Sequence, residues 1–188
     1  MKRLILILTL LGLSLSPAWA ETDDTSGSLW THNAESQNGR DYLNGFVRGY
    51  IEGKQWGIEM MEGILPHAQL DASARIQKDQ IESRLFLESL HYAQAVEGEN
   101  LQKAIEQVTQ WYQNPTNARI SWIKLVDLAI GKVNGFHGNY VQYQLKWLQD
   151  VSLHPRIDWF HTIDPATGTG RVTFYDKNGG IERIEWVR

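Results

Sequence analysis

The sequence predicts a mainly α protein: a small helical bundle of about five helices with a C-terminal antiparallel β-hairpin or three-strand element. Three observations carry this. From residue 40 to residue 150, apolar residues recur at spacings of three and four, which places them on one side of a helix. After residue 152 the chain turns to short runs rich in β-branched and aromatic residues. Between the last two runs stands Asp176-Lys177-Asn178-Gly179-Gly180, a strong hairpin signal.

The first element is a leader. Lys2 and Arg3 open it, Leu4 to Leu15 is nearly all leucine and isoleucine, and Pro17 breaks it. Ala18 and Ala20 supply the small residues that a signal peptidase reads, so residues 1–20 are expected to be a cleavable signal peptide. The apolar run is too short to span a bilayer at ~20 residues per crossing, and no later stretch is apolar enough. The expected destination is the periplasm of a Gram-negative bacterium, or the exterior. Cysteine is absent, which excludes a disulfide, a thiolate metal site and a lipid-modified cysteine. Without Lys2 and Arg3, 16 basic residues face 22 acidic ones, a net charge of −6. An acidic chain with no basic cluster is unsuited to nucleic acid or to anionic lipid.

Residues 21–29 are polar and acidic and are expected to be a flexible N-terminal segment; Trp30 is the first large anchor. A helical domain is expected over 30–152 and a small β appendage packed on it over 153–188. The first long helix should run from Arg40 to about Glu62, with Tyr42, Phe46 and Tyr50 in one row and Leu43, Val47 and Ile51 in another. Gly63 and Pro66 end it. A second periodic stretch runs from Asp71 to about Leu90, with residues 85–92 readable as helix or as strand. Asn100 is a plausible N-cap for an apolar stripe of Leu101, Ala104, Ile105, Val108, Trp111 and Tyr112, stopped by Pro115. Helices from about Ser121 to Val133 and from Asn139 to Asp150 follow, separated by Gly135 and Gly138. Strands are expected over Ile157–Ile163, Arg171–Tyr175 and Ile181–Val187.

Gly45, Gly49, Gly53 and Gly57 stand four residues apart within the first long helix. Each mid-helix glycine costs ~1 kcal/mol relative to alanine, so something should offset the ladder. Arg48, Glu52 and Lys54 in the same segment exclude a membrane-dimer motif. A tight intramolecular helix–helix contact is the favoured reading, with a docking groove for a partner as the other.

Two stretches carry a family resemblance. One runs from Tyr42 to Gly53 and contains Phe46-Val47-Arg48-Gly49-Tyr50-Ile51-Glu52-Gly53; the other, Val108 to Gly135, contains Trp111-Tyr112-Gln113-Asn114-Pro115-Thr116-Asn117 before a helix ending in glycine. They resemble small exported bacterial helical proteins and, more distantly, the Rap/Tai immunity proteins of type VI secretion. The chain departs from that group in having no cysteine pair. The resemblance implies a periplasmic helical domain that binds another protein, and it brings no catalytic residues.

A search for chemistry finds no catalytic constellation. None of His32, His67, His91, His137, His154 and His161 has a partner at zinc-ligand spacing, so no metal site is expected; His154 and His161 read as solvated loop or strand residues. Glu52 and Glu59 share a helix face about 10 Å apart, which reads as a solvated acidic face. Asp176-Lys177-Asn178 begins like a calcium loop, but Ile181 stands where glycine is required and no glutamate closes it. No phosphate loop, nucleophile elbow or dinucleotide fingerprint is present, and no cofactor is expected. Seven tryptophans remain after the leader. Most read as core, with a minority available for a stacking surface of Tyr50, Trp56, Trp111 and Tyr112, flanked by Asn114, Asn117 and Arg119. The expected function is non-enzymatic protein binding of an immunity-like kind; the alternative is a domain that binds or cleaves cell-envelope polysaccharide such as peptidoglycan.

Overall fold

The computed structural model describes residues 26–64, 92, 94, 95, 99–154 and 157–188. Five α-helices stand among them: α1 (Ser26–Ala34), α2 (Gln37–Ile64), α3 (Asn100–Tyr112), α4 (Trp122–Val133) and α5 (Gly138–Leu153). A 3-10 turn, Pro115–Asn117, links α3 to α4. The chain ends in a three-stranded antiparallel sheet of order β1-β2-β3, with β1 (Trp159–Ile163), β2 (Gly170–Tyr175) and β3 (Ile181–Val187). The mainly α architecture with a C-terminal β element is the one that the periodicities predict. The leader with Ala18 and Ala20, and the stretches 71–90 and 85–91, lie outside the described residues.

The segment expected to be flexible over 21–29 is corrected from residue 26 onward: Ser26 begins a helix. Its polar start is held by a tertiary bond, Gly27 N–H to the Ala118 carbonyl at 3.2 Å. Trp30 is buried there, and its indole N–H donates to Thr109 Oγ1 at 2.9 Å. Asn38-Gly39 falls in the first turn of α2, just after the break from α1. Ser36 Oγ accepts the Gly39 N–H at 3.0 Å, and a Cβ at Gly39 would run into the Asn33 carbonyl, so only glycine fits. The long helix thus starts at Gln37, three residues before Arg40.

The core follows the stripes. Leu43, Val47, Ile51 and Ile58 of α2 are buried, as are Leu101, Ala104, Ile105, Val108 and Tyr112 of α3. On α4, Leu125, Val126, Leu128, Ala129 and Ile130 are all buried, so this helix is covered on most sides and lies at the centre of the body. Asn100 is not the cap of α3. It is the first helical residue, and its amide donates to the Gln94 carbonyl at 3.0 Å, a longer-range tie than a cap would make.

The sheet packs on α5, which is longer at both ends than Asn139–Asp150. Cross-strand register pairs His161 with Val172 and Ile163 with Gly170, and these four positions share the face turned to the helix. Asp176 Oδ1 accepts the Asn178 and Gly180 N–H groups at 2.7 and 3.0 Å, and Gly179 takes φ 84°, closing the β2–β3 hairpin. The Asp164 carboxylate does the same for the β1–β2 turn, accepting Ala166 and Thr167 N–H at 2.9 and 2.8 Å. The bonds from Thr167 hold its pKa below the usual carboxylate range.

Candidate functional site

Two features on α2 stand apart from ordinary core packing. The first is polar. Tyr50 lies at the edge of the buried face of α2, and its hydroxyl donates to both oxygens of Asp127 on α4, at 2.8 and 3.0 Å. The Tyr92 hydroxyl donates to Asp127 Oδ1 at 2.9 Å. Lys54, one turn after Tyr50, sets its ammonium 5.6 Å from the Tyr50 ring centre and 5.9 Å from that of Tyr92. Burial, reinforced by the Asp127 carboxylate, pushes the Tyr50 phenol far above its ordinary value. Tyr50 therefore stays a donor and supplies no phenolate. The cluster ties α2 and α4 to the segment at Tyr92, and its chemistry is that of a brace.

The second feature is apolar and faces outward. Tyr42, Phe46, Trp56 and Met60 are 55, 44, 64 and 47% exposed. At ~100° per residue they fall within an arc of about 80°, and Gly49 and Gly53 fall inside the same arc. Gly45 and Gly57 lie at its margins. None of the charged residues of α2 falls within it; Arg48, Glu52, Lys54 and Glu59 all lie outside. From Tyr42 to Met60 the strip extends about 27 Å along the helix. One side of it is anchored on aromatic rings. Tyr42 stacks on Phe46 at 5.7 Å between centroids, and Phe46 rests on Trp122 of α4 at 4.6 Å. Trp122 in turn stacks on Trp30 at 6.5 Å and meets Tyr50 edge-on at 5.6 Å.

This placement corrects the reading of the glycine ladder as an intramolecular helix contact. Beyond the helix's own adjacent backbone, no described atom lies within 4 Å of a Cβ built at Gly45, Gly49, Gly53 or Gly57, and the first three are exposed. The buried row Leu43-Val47-Ile51-Ile58 occupies the opposite side of the helix, so the ladder points away from every described neighbour.

The residues expected to form a stacking surface are not brought together. Trp56 belongs to the outer strip and Tyr50 to the polar brace. Trp111 is half-buried, with the Lys132 ammonium 5.8 Å from its ring centre. Tyr112 and Asn117 are corrected outright: they are buried, at 7 and 1% exposure, and hold the proline turn. Tyr112 donates to the Ile120 carbonyl at 2.7 Å; Asn117 donates to the Trp111 carbonyl at 2.7 Å and accepts from Gln149 at 2.7 Å. Asn114 caps the 3-10 turn, accepting Thr116 N–H at 3.1 Å. Arg119 alone of the loop residues is a charge beside it, and it is exposed. The residues that sequence reasoning missed are Asp127, Tyr92 and Trp122. Asp127 had a signal, being the one acidic residue in a mainly apolar helix whose other charges are Lys124 and Lys132.

His161 is also corrected: it is buried between β1 and α5. Its Nε2 lies 2.9 Å from Gln144 Oε1, Nδ1 has no hydrogen-bond partner among the described residues, and Tyr140, Tyr143 and Trp159 surround the ring. Burial lowers its pKa. Among the described residues no group of three or more histidines and carboxylates could hold a metal ion. Glu52 and Glu59 are exposed. A shallow cleft of about 360 Å³ lies between α1, α2 and α3, with Leu43 and Ile105 in its lining and Arg40 and Glu106 contributing opposite charges. Among the described residues no helix is long and apolar enough to cross a membrane.

No family model matches the chain, and no curated protein or solved structure is similar to it.

Proposed function

We propose that the protein is an exported, non-enzymatic protein-binding domain of an immunity-like kind, and that the outer strip of α2 is its docking face. One observation supports this above the others: a charge-free row of exposed aromatics interleaved with glycines, which the described elements touch only where Phe46 meets Trp122. Exposed aromatics are the side chains that dominate protein interfaces. Glycines between them let a partner backbone approach closely. The partner of matching chemistry is an apolar or amphipathic helix presented by another protein. The leader assigns the encounter to the cell envelope or beyond.

The test blocks the face without disturbing the fold. Gly49 has open space at its Cβ, so Gly49→Leu is expected to fold normally while closing the strip. Tagged protein is used to capture partners from periplasmic extract, in parallel with Gly49→Leu and Trp56→Glu. A stoichiometric partner held by the parent and lost by both variants is expected. No stoichiometric partner, or one held equally by all three, would overturn the reading.

A second reading rests on Trp56. At 64% exposure its indole is available for stacking on a sugar ring, so the domain would bind cell-envelope polysaccharide. Co-sedimentation with purified peptidoglycan that fails for Trp56→Ala supports it, and clearing of the suspension would add cleavage. No retention and no clearing would end it.

A further inference from the structure

The third strand of the sheet has no buried residue. Among the described residues β3 pairs only with β2, and every residue from Ile181 to Trp186 is exposed, with Ile181, Ile184 and Trp186 at 63, 42 and 71%. Its outer edge presents a row of backbone N–H and C=O groups, a template for another strand. Charged side chains on an edge usually discourage such pairing. On β3 they are arranged differently: Arg183 and Glu185 flank Ile184 symmetrically, one of each sign.

That symmetry selects one partner and one register. Every second residue of a strand turns its backbone groups to a given edge, so two copies of β3 pair antiparallel only in registers that set even positions against even and odd against odd. A register centred on residue 183 opposes Arg183 to Arg183, and one centred on 185 opposes Glu185 to Glu185. The register centred on Ile184 opposes Arg183 to Glu185 twice, and Ile184 to Ile184. It also sets Ile181 against Val187 and Trp186 against Glu182.

The existing register carries the pattern across the sheet. Phe160, Thr173 and Ile184 lie directly opposite one another in one cross-strand row, so the pairing continues this row through the twofold axis into Ile184, Thr173 and Phe160 of the second copy. On the other face Arg183, which lies 3.7 Å from the Phe174 ring centre, already makes an exposed ion pair with Glu185 of its own strand at 2.9 Å. The same two groups can meet the second copy without a change of backbone. We propose that β3 is a self-association edge through which two copies of this chain join their sheets, in antiparallel register centred on Ile184, into one six-stranded sheet. This surface is on a different element from the α2 strip and does not rest on the function proposed for it.

Analytical ultracentrifugation over a wide concentration range tests this, with four preparations of the full protein. The parent is expected to form dimers. Arg183→Glu and Glu185→Arg each turn both cross-strand ion pairs into like-charge contacts and should weaken self-association about tenfold. The double variant R183E/E185R restores opposite charges and should dimerise like the parent. The decisive arm mixes the two single variants. A heterodimer is expected, because the two acidic side chains on one variant's strand then face the two basic side chains on the other's, although the ion pair within each strand is lost. A parent that stays monomeric, a dimer indifferent to Arg183→Glu, or single variants that do not pair on mixing would each overturn the proposal. A thermal melt of each single variant confirms that it is folded before its mass is read.

Discussion

The helical body and the sheet differ in how they use their apolar residues. In the body, α2, α3 and α4 each turn a full stripe inward, and Val47, Ile51, Val108, Leu125 and Ile130 reach 0% exposure. In the sheet only Ile163 and Val172 are buried apolar residues, with His161 and Thr173 beside them, and β3 contributes none. A strand of the sheet therefore depends on backbone pairing and on its neighbour, while a helix of the body depends on the common core. The contrast also locates the free apolar surface. Most of it lies where the core does not reach, on β3 and on the outer arc of α2.

Substitutions can break or sharpen this contrast. The largest effect is expected from Leu125→Ala at the centre of α4, which leaves a cavity in a core covered on all sides and should cost about 2–5 kcal/mol in chemical denaturation. Val172→Ala removes the best-buried apolar side chain of the sheet and should cost less, about 1–3 kcal/mol, because less volume is lost against a thinner layer. A Val172→Ala loss larger than that of Leu125→Ala would reverse the comparison. Gly49→Ala is expected to act in the opposite direction. With nothing within 4 Å of the new Cβ, it should raise stability by ~1 kcal/mol through helix propensity alone. A loss at this site would mean that the outer arc of α2 is covered after all.

The sheet's buried histidine gives an effect that is absent at neutral pH. Burial favours the neutral ring in the folded protein, whereas the unfolded chain takes up its proton near pH ~6.5. Unfolding therefore binds a proton as pH falls, and stability is full above that value and declines below it. The melting temperature should drop between pH ~7 and ~5, and His161→Gln should flatten that drop. Fluorescence of Trp159, whose indole donates to Asp150 at 2.7 Å, reports the same interface between α5 and β1. Smallest of all, Trp186→Ser should leave the stability of the monomer within about 0.5 kcal/mol, since the side chain is 71% exposed.

Much of this organisation was legible in local pattern. The stripes of α3 and α4, the proline stop after Tyr112 and the Asp176–Gly180 hairpin all appear at the expected places. The start of α1 was not, because Ser26 to Ser28 carry no apolar periodicity and are held by a bond from Gly27 to Ala118, far along the chain. The candidate site was legible only in part. Tyr50 and Trp56 stood out as aromatic, but Tyr112 and Asn117 did so equally as candidates and proved to be parts of a turn. Their types do not distinguish a ligand contact from a buried hydrogen bond; the carbonyls of Ile120 and Trp111 do.

The case of α2 separates the two levels. By itself the sequence determined that Arg40 to about Glu62 is helical enough to persist through four glycines, and that it carries two apolar rows rather than one. Periodicity is a property of neighbours along the chain, and it is satisfied by either row facing inward. Only the tertiary structure decided between them. The aliphatic row of Leu43, Val47, Ile51 and Ile58 lies in the core with the stripes of α3 and α4, because branched side chains fill that space at high density. The aromatic and glycine row was left outside, and Asp127, a residue 77 positions away, is what braces Tyr50 between the two.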